Sequence, residues 1–278
     1  MNLQVLQPVK EAGTIEEVIV RLKMLIEECK TSNSRIGFFA CLYLKVTERV
    51  RDAIQRGEFD DDTRMERFDV IFANRYLDAV SLWRAGEQPT GPWQIALNSS
   101  RKMTVLVLQH LLLGMSAHIN FDLGIAAVQT VGDADVDTIR KDFNRINDII
   151  GSLTFEVMQS IQRVSPLLSL FGFHATNESL LIQFSITNAR DGAWAFAEDL
   201  AEKTGADKDA CMAARENTIK QLGAKLITSS GLIRITIFFV WLLEWKSPRK
   251  IISVLSKAKK NYISINTPQR VSGKALQI

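Results

Sequence analysis

Apolar residues recur at intervals of three and four along most of the chain, which is the pattern of helices that bury one face. Thr14 followed by Glu17 is a capping-box pattern and predicts a helix start. Gly57 and Gly86 predict helix ends, and Pro166 predicts a break. The predicted helices span 14–30, 36–56, 61–85, 98–128, 135–150 with a continuation to 162, 187–204, 207–229, 232–245 and 247–260.

The rest of the chain shows little sign of other structure. The run GEQPTGPW (86–93) predicts a loop, and LIQFSI (181–186) is the one short run that could be extended. Neither an internal repeat nor a long polar linker interrupts the helical pattern. We therefore expect one all-α domain over residues 1–278, a multi-helix bundle around a central apolar helix, with a flexible tail from about residue 264.

The central helix carries the most informative residues. MTVLVLQHLLLGMSA (103–117) is apolar on all sides, which is typical of a helix surrounded by others. The run HLLLGMSAHINFDLGIA (110–126) continues it, yet holds His110, His118, Asn120 and Asp122. A buried polar group costs a few kcal/mol, about 1–3, when it lacks a hydrogen-bond partner. These side chains therefore need partners or a role.

Helical geometry pairs two of these side chains. His118 and Asp122 are four residues apart and share a face, about 6 Å apart along the axis. Gly114 lies one turn earlier on that face and leaves room for a neighbour or a ligand. His110 lies about 12 Å from His118 along a regular helix, so we expect it to be separate. Asn120 is expected to point the other way.

The pair admits three interpretations. Asp122 could orient His118 for acid–base catalysis, since a carboxylate stabilises the charged imidazole. Alternatively, His118 and Asp122 could be metal ligands, with Asp78 or His110 completing the site. The third interpretation is a structural hydrogen bond within the core.

Other helices offer groups that could converge on the pair. Asn74 and Asp78 stand four apart in FANRYLDAV (72–80), a largely apolar stretch. Arg190 and Trp194 share a face in NARDGAWAF (188–196), where they could clamp an anionic group or make a cation–π contact. We expect these four residues, with Asn120 and His110, to bind substrate.

Composition excludes several classes of protein. The net charge of +3 is too small to indicate nucleic-acid binding, and the three cysteines, without a CxxC pair, suggest neither a disulfide framework nor a zinc knuckle. The first residues do not form a secretion signal, so a cytoplasmic protein is expected. Residues 226–245 are apolar enough to cross a membrane, but Arg234 lies near the middle, so we interpret them as a buried helix with a bend near 229–231.

Several of these stretches together resemble an uncharacterised bacterial family of all-helical proteins, a domain of unknown function. The resemblance spans about residues 36–197 and rests on FFACLYLKVTERVRDAI, FDVIFANRYLDAV, LLLGMSAHINFDLGIA, KDFNRIND and ARDGAW. Its clearest part is SAHINFDL, similar to the family's N-A-H-I-N-x-D-L stretch. Ser116 stands where the family favours asparagine. The resemblance implies an all-helical fold and a site at His118, Asn120 and Asp122.

The sequence thus predicts an enzyme that binds a small, largely apolar molecule in a helical pocket. His118 would act as acid or base with Asp122 as its orienter, in isomerisation, cyclisation, elimination or hydrolysis. One alternative is a metal-dependent hydrolase at the same cluster. The other is a non-catalytic binding or scaffold protein. We expect either no cofactor or a divalent metal ion, and neither nucleic acid nor a membrane span.

Overall fold

The structure, a computed structural model, describes residues 11–171, 175–228 and 231–257, and side chains for all of these except 169–186 and 231–233. Within these ranges it contains helices and no strands. The expected tail after residue 264 lies outside the described residues. The helices are α1 (Ile15–Thr31), α2 (Gly37–Gln55), α3 (Asp62–Ala85), α4 (Gly91–Ser99), α5 (Val107–Val131), α6 (Arg140–Val164), α7 (Ala175–Ala201), α8 (Gly205–Ile227), α9 (Gly231–Leu243) and α10 (Pro248–Leu255).

Helix starts follow the predicted capping residues. The Thr14 hydroxyl accepts a hydrogen bond from the Glu17 amide, and the Glu17 carboxylate accepts one from the Gly13 amide in return. Asp61 caps α3 through the Arg64 amide, and Ser247 caps α10 just before Pro248. These caps satisfy amide groups that have no partner inside a helix, so the sequence signals mark real helix ends.

Several predictions about helix boundaries are wrong, among them the start of α7, which lies at Ala175 and not at residue 187. Residues 91–93 begin α4 rather than end a loop, because Pro92 fits the first turn of a helix. A turn then separates α4 from α5, where the sequence predicts one helix from residue 98. The run 181–186 is helical, inside α7. The last helix ends at Leu255 and not near residue 260.

Helix α5 is the centre of the fold, as predicted. Its first half packs against α2, α4 and α8, and its second half against α3 and α7. It is also the one described helix long and apolar enough to cross a membrane, and 78% of its most apolar stretch is buried inside the protein. A core helix passes the same test of length and composition, and its burial here accounts for its apolar surface.

Helix α9 contradicts the prediction of a buried helix at 226–245. Helix α8 ends at Ile227, and α9 begins at Gly231 as a separate element. Phe238, Leu242 and Leu243 on α9 are each more than half exposed. An apolar sequence favours burial, but no other described element covers this side of α9.

Candidate functional site

His118 and Asp122 lie at a π-helical turn in the middle of α5. The turn spans His118–Asp122, with α-helix on both sides. A π-turn contains one more residue than an α-helical turn and occurs often at functional sites. Across it, Nδ1 of His118 lies 3.3 Å from Oδ2 of Asp122, and the two side chains are 3% and 1% exposed. The predicted pairing of these residues is confirmed.

Asp122 is held from two other helices. Arg75 of α3 donates from Nε to Oδ1 at 2.9 Å, and Trp93 of α4 donates from Nε1 to Oδ2 at 2.7 Å. Both carboxyl oxygens of Asp122 therefore serve as hydrogen-bond acceptors. Nδ1 of His118 therefore carries the hydrogen and donates to Asp122, which leaves the lone pair on Nε2.

Aromatic rings fix the plane of the imidazole. Phe72 stacks on His118 with ring centroids 3.5 Å apart, and Tyr43 meets it edge-on at 4.5 Å. Burial lowers the pKa of His118, although the hydrogen bond to Asp122 opposes the shift. The imidazole is therefore neutral near pH 7. Its Nε2 is buried and has no hydrogen-bond partner among the described residues.

An apolar cavity of about 100 Å³ lies beside this imidazole. Its wall comes mainly from side chains of α2, α3, α5 and α6, most of them leucine, isoleucine, valine, methionine or phenylalanine. Five polar residues interrupt this lining: Tyr43, Asp69, His118, Thr154 and Arg190. Asp122 is not part of the lining and lies behind His118.

Three of these polar residues present further buried atoms without a partner in the described chain: the Tyr43 hydroxyl, Oδ2 of Asp69 and Nε of Arg190. An unpaired buried polar atom is costly, and native proteins have few of them. Counting Nε2 of His118, four such atoms belong to residues that line this one cavity.

Burial also shifts the pKa values of these groups. It raises the pKa of Asp69 to about 7, with the nearby Glu66 adding to the shift. Burial, followed by the charge of Asp69, raises the pKa of Tyr43 well above its usual range. Burial lowers the pKa of Arg190 to about 9. At pH 7 the cavity therefore presents a neutral phenol, a neutral imidazole and a guanidinium that is still charged.

Arg190 is the one predicted substrate-binding residue that the structure brings to the cavity. Its Nη2 donates to the Phe143 carbonyl at 2.5 Å, and its guanidinium lies 4.2 Å from the centre of the Phe143 ring. Trp194, expected to act with it, does not line the cavity. The indole of Trp194 donates to Glu198 and packs against Phe143.

The other predicted residues also lie outside the cavity lining. Asn74 both donates to and accepts from the backbone of Ala12, each at 2.9 Å, and so fastens the start of the described chain to α3. Asp78 is half-buried close to Arg21 of α1. The backbone carbonyl of Asn120 accepts a hydrogen bond from Arg215 of α8.

His110 lies apart from His118, as expected. It packs edge-on against Phe38 and borders a second, much smaller cavity of about 20 Å³. Burial lowers the pKa of His110 to about 3, so its imidazole is neutral. The separation keeps His110 and His118 from sharing one ligand.

A metal site has little support in the side chains. No three His, Cys, Asp or Glu side chains come close enough to hold an ion within the described ranges. Asp78, proposed as a third ligand, lies toward α1, away from the lining of the cavity. His118 and Asp122 form a hydrogen bond with each other instead. Arg75 and Trp93 both donate hydrogen bonds to Asp122.

Sequence reasoning missed Tyr43, Asp69 and Trp93. A signal existed for Asp69, because Met65, Asp69, Phe72 and Tyr76 follow the apolar spacing of α3. A carboxylate at an apolar position of a helix predicts a buried acid. Trp93 could not have been found, since it meets Asp122 only through tertiary packing.

Comparison with known proteins gives a family and no activity. No curated protein and no solved structure matches the chain. The model of a family of unknown function, DUF5995, matches residues 15–229, which include every residue of the site above. The chain belongs to the DUF5995 family.

Proposed function

We propose that this protein is an enzyme that moves a proton within a small, largely apolar substrate held in the cavity beside His118. The observation that carries the proposal is a buried imidazole that lines the cavity, with Nδ1 of His118 fixed on Asp122 and Nε2 without a hydrogen-bond partner among the described residues. A base in this state needs no reorganisation before it reacts. Preorganisation of this kind is a main source of catalysis in enzymes.

His118 acts as the base. Its neutral Nε2 takes a proton from a carbon of the substrate, and the resulting imidazolium is stabilised through Nδ1 by the Asp122 carboxylate. Arg75 and Trp93 hold that carboxylate in place, so the pair keeps its geometry while the charge changes. Because burial lowers the pKa of His118, the base is unprotonated at pH 7.

Tyr43 is suited to the opposite role. Its phenol stays protonated because its pKa is raised, its ring contacts the imidazole, and its hydroxyl has no partner among the described residues. In an enolisable substrate the electron pair released by proton removal moves into an adjacent carbonyl. Tyr43 would donate a hydrogen bond to that oxygen, and His118 would return the proton to another carbon. This sequence is an isomerisation without net gain or loss of atoms.

The lining sets the substrate class. An apolar cavity of 150 Å³ in another protein binds benzene, so about 100 Å³ suits a molecule of a few carbons, or one part of a larger one. Arg190 adds a positive charge at the wall and favours a carbonyl or carboxylate on the substrate. Among the reactions open to acid–base chemistry, the dry lining supports isomerisation or elimination over hydrolysis.

The test is the isomerisation of cyclopent-3-enone to its conjugated isomer, a compact ketone reaction that needs one base and one hydrogen-bond donor. We expect the wild type to catalyse it and His118→Gln to lower the rate about a hundredfold or more. His110→Gln is the matched control, because His110 is also buried and neutral but does not border this cavity. Tyr43→Phe, which removes only the hydroxyl, should slow the reaction without altering the fold.

Each other outcome has a definite meaning. Equal rates for wild type and His118→Gln would exclude His118 as the base. Binding of the ketone, seen as a rise in melting temperature, without isomerisation in either protein would support a binding protein. If the ketone neither binds nor reacts, the polar atoms around the cavity are structural, and the enzyme proposal is wrong.

A further inference from the structure

Helix α9 carries an apolar face that no other described element covers. Ile235, Phe238, Phe239, Leu242 and Leu243 follow the helical spacing i, i+3, i+4, i+7 and i+8, and all are about half exposed. With the exposed Trp245 they form a continuous patch, called here the α9 face. Contiguous exposed apolar surface of this kind marks an interaction site.

The last turn of α9 and the residues just after it are firmly attached to the protein. Glu244 accepts hydrogen bonds from the Val107 amide at the start of α5 and from the Ser165 hydroxyl. The Trp245 amide donates to the Val164 carbonyl at 2.9 Å, and the Trp241 indole donates to the Met103 carbonyl at 2.7 Å. The α9 face is therefore held outward on a fixed helix.

The exposed charges of α9 and of the segment that follows it have one sign. Arg234, Lys246, Arg249, Lys250 and Lys257 are exposed, and Glu244, the single acidic residue between 231 and 257, is buried. The chain from residue 245 to its last residue has eight lysines and arginines and no acidic residue. An apolar and aromatic face bordered by cations matches an interface with anionic lipid.

We infer that the α9 face docks the protein on the surface of an anionic lipid bilayer. Phe238, Phe239, Leu242 and Trp245 enter the boundary between headgroups and acyl chains, while Lys246 and Lys250 contact the phosphates. Tryptophan and phenylalanine favour that boundary, and lysines extend their ammonium groups toward it. The helix lies on the bilayer, because its 13 residues cover only about 20 Å of a hydrocarbon core of about 30 Å.

The residues of the α9 face and those that line the cavity belong to different parts of the sequence. The family match ends at residue 229, just before α9 begins. The inference therefore rests on residues outside the matched stretch, and it does not depend on the proposed chemistry at His118.

The test is sedimentation of the full chain with two kinds of vesicle, one of phosphatidylcholine and one that also contains phosphatidylglycerol. We expect binding to the anionic vesicles. The double variant F238S/F239S removes the two phenyl rings that would enter the lipid, so its affinity for these vesicles should fall about tenfold or more. The charge reversal K250E/K257E should also weaken binding. Added salt should weaken the wild type, since the Debye length shortens to about 3 Å at 1 M.

Val20→Ser with Met24→Ser is the matched control. These two residues of α1 are as exposed as those of the α9 face, but the exposed charges of α1 have both signs, so binding should not change. They are Lys23, Glu16, Glu17, Glu27 and Glu28. Binding that F238S/F239S does not reduce, or equal binding to neutral vesicles, would overturn the inference. So would a dimer that dissociates in F238S/F239S, because the face would then bind a second copy. Protection of the face by residues 258–278, seen as new vesicle binding only after their removal, would also overturn it.

Discussion

The imidazole of His118 lies flat against the ring of Phe72, with centroids 3.5 Å apart and planes inclined by 5°. Together with the hydrogen bond from Nδ1 to Asp122, this contact fixes both the position and the rotation of the ring. The ring held in this way lines the cavity together with Tyr43, whose ring centroid lies 4.5 Å from that of His118. The geometry of the site thus depends on one apolar contact as much as on its polar ones.

Phe72→Leu should loosen this ring. We expect a loss of about 1 kcal/mol in the free energy of unfolding, because the smaller side chain leaves part of the contact empty. The NMR signals of the His118 ring should broaden as it samples more orientations. Phe155→Leu is the control, since Phe155 is about half exposed, and it should change neither quantity. Sharp, unshifted His118 signals in Phe72→Leu would show that the hydrogen bond alone orients the ring.

Asp122→Asn should be among the more damaging single changes. It removes the charge that Arg75 pairs with, and the amide cannot accept from Arg75, Trp93 and His118 as the carboxylate does. We expect a loss of about 2–4 kcal/mol by chemical denaturation. Asp148→Asn is the comparison, because the pair of Asp148 with Arg145 is exposed and should be worth less than about 1 kcal/mol. Equal losses in both variants would contradict the buried network.

Gly114→Ala should destabilise the protein although alanine favours helices. A methyl group at this position would lie 2.5 Å from two atoms of the Phe39 ring, much closer than packed carbons approach. Phe39 lines the cavity and cannot move without changing it. We expect a net loss of about 1–3 kcal/mol, measured by thermal unfolding. Gly223→Ala is the milder control, since its nearest neighbour would be 3.3 Å away.

Asp69→Asn should change how stability depends on pH. The pKa of Asp69 is raised to about 7 in the folded protein from 3.8, so its ionisation opposes folding. The protonated carboxyl of Asp69 makes its full contribution to the free energy of unfolding below pH 3.8. This contribution is lost as the pH rises toward 7. The amide of the variant cannot ionise, so the variant should gain stability relative to the wild type over that range, by at most about 4 kcal/mol. A constant difference between pH 4 and 7 would show that Asp69 titrates normally.

Local pattern predicts part of this molecule well. Capping residues and apolar spacing place most helices, and the separation of four residues pairs His118 with Asp122. Those features depend on neighbours within one helix, which the sequence shows directly. The apolar run 103–117 likewise predicts the central helix, because a helix without a polar face has to be enclosed.

The cavity could not be predicted in this way. It lies between helices that are distant in sequence, so its lining depends on how they pack. Asn74, Asp78 and Trp194 have the same polar-in-apolar pattern as Arg190, yet none of them lines the cavity. Asn74 and Trp194 form hydrogen bonds elsewhere, and Asp78 lies near Arg21. The exposure of α9 could not be predicted either. An apolar sequence shows that a surface avoids water and does not show what covers it.

The π-turn at 118–122 also changes the phase of α5. One additional residue shifts everything after it by about 100° around the helix axis relative to a regular α-helix. The residues before the turn can then follow one set of neighbours, α2, α4 and α8, and those after it another, α3 and α7. Deletion of one residue there would rotate the two halves out of register, so the length of this turn is as much a part of the fold as the identity of its residues.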